Sequence, residues 1–228
     1  MRIIMAIPIA VVAVLTATAP LFGASQKDHD DCNQGNDPDR GIRGCTAIVQ
    51  DANETARNRA IALVNRGLAW SEKRDLDRAI ADFDAALTLD PNDVSAYNNR
   101  GLFWRAKGNN DRAIADFSEA IKRHPNGAAS YINRGISWEA KRDLDHAIAD
   151  FTEAIRLDQR IGYAYFWRGN VWAAKGDLDR AIADYNEAIK RNPADGLAYT
   201  NRGHAWRAKG DLDRATADYG AASRLGPK

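Results

Sequence analysis

The sequence predicts an all-α chain, a solenoid of five helical hairpins preceded by a short capping helix. Three observations carry this. One motif returns without insertion: copies beginning at Leu63, Tyr97, Tyr131, Tyr165 and Tyr199 set Gly67, Gly101, Gly135, Gly169 and Gly203 34 residues apart. Each copy holds two apolar stripes of helical period, such as Tyr97, Gly101 and Trp104, then Ala113, Phe117 and Ala120. The stripes are separated by turn residues such as Lys175-Gly176-Asp177 and closed by Pro91, Pro125 or Pro193. A hairpin of this kind cannot bury both stripes alone and must stack on its neighbours.

In chain order, residues 1–25 differ in kind from the rest. Arg2 precedes an uncharged run from Ile3 to Phe22, and small residues follow at Gly23-Ala24-Ser25. This pattern predicts a secretory signal peptide, with a retained membrane anchor as the alternative. Residues 26–59 are expected to form a polar, partly disordered lead-in and then a cap helix from Cys45 to about Glu54. Cys32 and Cys45 are the only cysteines. In an exported chain one such pair points to a disulfide closing the cap. Free thiols and a metal pair are the alternatives, although two cysteines cannot complete a zinc site.

The repeats follow at 60–93, 94–127, 128–161, 162–195 and 196–228. A glycine inside each first helix costs about 1 kcal/mol against alanine. Its recurrence predicts that another backbone passes close by. In the turns, Gly suits a left-handed helix end and Asp177 an N-cap, while Asp179 adds negative charge to the first turn. Arg74 and Arg142 stand at the turn Gly of the first and third copies, so slight strain is expected there. In the last copy Thr216 and Ser223 occupy offsets that elsewhere hold Ile or Leu, which predicts a polar outer face at that end.

With Gly, aromatic, Ala, aromatic, Ala and Pro in this order, residues 60–228 closely resemble the tetratricopeptide family. Trp70, Trp104, Trp138, Trp172 and Trp206 depart from the usual Tyr, and Gln159 from the usual Pro. The resemblance implies a right-handed α-solenoid whose first helices line a concave groove. It also implies that Asn65, Asn99, Asn133 and Asn201 hydrogen-bond the backbone of a bound polypeptide. An amide offers both donor and acceptor, so it can satisfy a peptide unit without reading its side chain. Duplication of a structural residue is the alternative. Trp167 breaks the row, either as an exposed aromatic anchor or stacked on Phe166 or Tyr163. Neighbouring groove offsets include Asn98, Ile132 and Phe166. The carboxylate-clamp variety of the family needs Lys where Val64 stands and Asn where Leu68 stands, so its ligand is not expected.

Little in the chain points to chemistry. His29, His124, His146 and His204 occupy unrelated offsets, and neither nucleophile elbow nor phosphate loop is present. No enzyme, cofactor or metal is expected. A formal charge of +1 offers no nucleic-acid signal. Arg66, Arg100, Arg134, Arg168 and Arg202 form one row, and Asp82, Asp116, Asp150, Asp184 and Asp218 another. They read as exposed pairs bridging each hairpin, with an anion-binding Arg ladder as the alternative. The expected function is a non-catalytic protein–protein scaffold, periplasmic or secreted, with no membrane insertion of the mature chain. A self-associating module acting through the solenoid ends is the rival.

Overall fold

The computed structural model describes residues 23–33 and 37–226. All but the last three residues of the predicted leader lie outside them. Among the described residues the chain is entirely helical: α1 (Gln26–Asn33), α2 (Pro38–Gln50), α3 (Ala56–Glu72), α4 (Leu76–Leu89), α5 (Val94–Ala106), α6 (Asn110–Arg123), α7 (Ala128–Ala140), α8 (Leu144–Leu157), α9 (Gly162–Ala174), α10 (Leu178–Arg191), α11 (Gly196–Ala208) and α12 (Leu212–Leu225). Helices pair as hairpins, α3 with α4 through α11 with α12, and each hairpin stacks on the next. This is the predicted α-solenoid of five repeats.

The caps are written in the sequence. Asp75, Asn109, Asp143, Asp177 and Asp211 each accept a hydrogen bond from the backbone N–H three residues on, starting α4, α6, α8, α10 and α12. Before them the chain turns through the left-handed region at Gly108, Gly176 and Gly210, and also at Arg74 (φ 61°) and Arg142 (φ 65°). The helix glycine has a different cause from the one expected. A Cβ at Gly135 would stand 2.9 Å from the ring of Phe151, and one at Gly101 2.7 Å from Phe117. An aromatic ring of the second helix, more than a passing backbone, fills the space.

The N-terminal region corrects the predicted irregular lead-in. Residues 26–33 are helical, and α2 begins at Pro38 rather than at Cys45, capped by Asp37 with Pro at its first turn. A disulfide joins Cys32 to Cys45. At Gly44 the two backbones touch: an added Cβ would lie 2.5 Å from the carbonyl oxygen of Asp28. Asp31 is buried and receives both Lys27 and Arg40. Polar composition hid this helix because cross-linking and ion pairing stabilise it, rather than an apolar stripe. The hairpin α1–α2 packs on α3 and covers that end of the stack. At the opposite end Thr216 and Ser223 are exposed, whereas Ile80, Ile182, Leu87 and Ile155 at the same offsets are buried.

Candidate functional site

First helices of successive repeats approach one another, α5 with α7, α7 with α9 and α9 with α11. No such approach joins the second helices among the described residues. The stack therefore curves with the first helices on its inner wall.

The Arg row is not available to a ligand. Each Arg holds its Asp with two nitrogens, as in Arg168 to Asp184 (Nε–Oδ2 and Nη2–Oδ1, both 2.8 Å). The third nitrogen reaches back one repeat: Arg66 to Thr46, Arg100 to Asp84, Arg134 to Ser118, Arg168 to Thr152 and Arg202 to Asn186. The five Asp are buried, so these are not the exposed pairs expected. Hydrogen bonds to the carboxylates raise the pKa of Arg134, Arg168 and Arg202 against the effect of burial. Burial raises that of Asp116 despite its Arg partner.

The Asn row lies along the inner wall, but its members differ. Asn65 donates to Asn33 (3.2 Å), tying α3 to α1. Asn99 is half-buried, and its side-chain amide has no partner among the described residues. Asn133 faces the Arg105 guanidinium, which lies 3.4 Å from its carbonyl oxygen and 3.5 Å from its side-chain oxygen. Asn201 donates to Asn170 (2.8 Å), which also accepts from the Tyr185 hydroxyl (2.9 Å). Burial pushes the Tyr185 phenol above its ordinary pKa and keeps it a donor.

Three of the other predicted groove residues are placed differently. Ile132 and Phe166 are buried in the core between hairpins. Asn98 donates to the Val94 carbonyl (3.0 Å) and accepts from Ser130 (2.9 Å), so it clamps α5 to α7. Trp167 takes the stacked alternative, its ring against Tyr163 (5.9 Å) and Phe166 (5.8 Å).

Two features escaped the sequence reading. Ile61, Tyr163 and Leu197 are 47%, 53% and 67% exposed. They stand four residues before the Asn row and so share its helix face. That spacing was a usable signal. Arg105 was hard to find: its offset holds Ser71, Arg105, Glu139, Ala173 and Arg207, so Arg recurs in two copies of five beside a Glu, and no row marks it. A recess of about 310 Å³ opens beside Asn170, Asn201 and His204, an apolar and amide-lined notch at the far end of the same wall.

The tetratricopeptide repeat model matches this chain in overlapping windows, residues 47–94, 66–128, 105–160, 134–195 and 173–228. No curated protein matches it. Among solved structures, MamA is 27% identical, with a TM-score of 0.66 over 70% of this chain and 93% of that one. YrrB, described as a TPR protein with an unusual peptide-binding site, is 22% identical, with a TM-score of 0.65 over 82% and 94%. A tetratricopeptide repeat protein from Parabacteroides merdae is 19% identical, with a TM-score of 0.75 over 89% and 78%. The last two likenesses concern the fold alone.

Proposed function

The chain belongs to the tetratricopeptide repeat family, and we propose that it is a non-catalytic scaffold holding a polypeptide segment along its inner wall. One observation carries this reading: amides and exposed apolar side chains share a single face of successive first helices. Asn99 and Asn133 supply peptide-satisfying groups in adjacent repeats, and Ile61, Tyr163 and Leu197 supply apolar contact. No helix among the described residues is long and apolar enough to cross a membrane. The disulfide and the apolar leader support a periplasmic or secreted location for the mature chain.

A pull-down with the chain and an Asn99→Ala/Asn133→Ala variant, from extract of the source cells, tests the reading. A partner held by the parent and lost by the variant at unchanged melting supports it. A partner held equally by both refutes groove binding.

The second reading is self-association through the ends. Leu212, 63% exposed on α12, favours it. The polar exposure of Thr216 and Ser223 opposes it. Recovery of the chain alone, together with a concentration-dependent mass, would select it.

A further inference from the structure

Arg105 stands apart from the other arginines of the inner wall. The five Arg of the repeat row are neutralised by buried Asp, whereas Arg105 makes no ion pair among the described residues. It is half-buried at the end of α5 and leans on α7, where its side-chain hydrogen bonds among the described residues are the long ones to Asn133. Burial depresses its pKa, with the Tyr163 phenol as the only opposing influence. A guanidinium removed from water without a carboxylate is costly, and a bound carboxylate relieves that cost through a forked, charge-assisted pair. On α9, the first helix of the repeat after the one that carries Asn133, Tyr163 and Trp167 form an aromatic ledge, with Tyr163 about half exposed.

We propose that Arg105, Asn133 and the Tyr163–Trp167 ledge form an acceptor site for an acidic side chain within an extended polypeptide, flanked within about three residues by an apolar one. Three residues is the stretch of extended chain that spans one helix-to-helix step of about 10 Å. This rests on the polypeptide-binding reading above and supplies its specificity. An internal side chain fits better than a chain terminus. Inner-wall amides lie on both sides of Arg105 along the stack, Asn65 on α3 before it and Asn133 and Asn201 beyond it, so a terminus anchored there would leave one side idle.

The test uses degenerate pools of short peptides blocked at both ends, one position fixed as Glu or as Gln, and a third Gln pool with a free C-terminus. Binding to the full chain is read by fluorescence anisotropy. The Glu pool is expected to bind about tenfold more tightly than the blocked Gln pool, the worth of one charge-assisted pair. Arg105→Gln should erase that ratio, and Arg105→Lys should retain part of it. Melting curves confirm that each variant folds. Equal binding of Glu and Gln pools, or a ratio that survives in Arg105→Gln, overturns the assignment while the groove reading stands. A free-terminus Gln pool that matches the Glu pool overturns the choice of an internal side chain. Failure of every pool to bind overturns both the assignment and the groove reading.

Discussion

Arg134 on α7 grips Asp150 on α8 with two nitrogens, Nε at 2.8 Å and Nη2 at 2.7 Å, while its third nitrogen holds Ser118 of the preceding repeat at 3.0 Å. One residue thus closes its own hairpin and fastens it to its neighbour. The Asp150 side chain is 7% exposed and that of Arg134 22%. Asp150→Ala would leave a half-buried guanidinium unpaired, at a cost of about 3 kcal/mol or more. Lys141→Ala, which removes the exposed ion pair to Asp111 and a cation–π contact with Trp138, is expected to cost about 1 kcal/mol. Denaturant unfolding of the two variants checks the contrast.

Arg74 and Arg142 occupy turn positions with positive φ where other repeats have Gly. A side chain there costs about 1–2 kcal/mol, partly offset by glycine's greater freedom when unfolded. Arg74→Gly and Arg142→Gly are each expected to stabilise the chain by about 0.5–1 kcal/mol. Thermal melting reads the gain.

Gly135→Ala sets two effects against each other. Helix propensity favours Ala by about 1 kcal/mol. Steric overlap with the Phe151 ring, 2.9 Å from the new Cβ, opposes it at about 1–3 kcal/mol. The ring is fully buried and cannot swing aside, so net destabilisation is expected. Phe151→Leu in the same chain should lessen the penalty, and a double-mutant cycle measures the coupling.

The N-cap carboxylates carry a pH dependence. Hydrogen bonds from the His146, Arg180 and Arg214 side chains, then from their backbone N–H groups, hold Asp143, Asp177 and Asp211 below the ordinary carboxylate pKa. Folded pKa values below unfolded ones mean stability that is present above about pH 4 and lost as pH falls through the folded values. Asn caps without titrating, as Asn109 does for α6. An Asp143→Asn/Asp177→Asn/Asp211→Asn variant should therefore lose less stability than the parent between pH 5 and about pH 2. Melting temperature against pH reads this.

The repeats were legible because a strict period multiplies each signal. Gly101, Phe117 and Asp116 acquire meaning from four counterparts apiece, and the Arg–Asp pairs were found the same way. The depth of those pairs was not, since burial of Asp116 depends on packing between hairpins. Helix α1 was hidden because Cys32 and Asp31 stabilise it through distant partners, Cys45 and Arg40. Within the groove, period alone could not separate side chains that face inward from those wedged between hairpins. Ile132 and Phe166 belong to the second kind. Arg105 shares its residue type with Arg207 alone at that offset, too little to mark a row, and its environment emerges only where α5 meets α7.

Titration of blocked, degenerate peptide pools against the parent and Asn99→Ala/Asn133→Ala chains, with melting measured alongside, tests the central claim most directly. The groove account predicts a loss of about tenfold or more in affinity, the worth of one or two peptide hydrogen bonds, at an unchanged melting temperature. Equal affinity, or a loss that appears only together with a fall in melting temperature, would contradict it and make the Asn row structural.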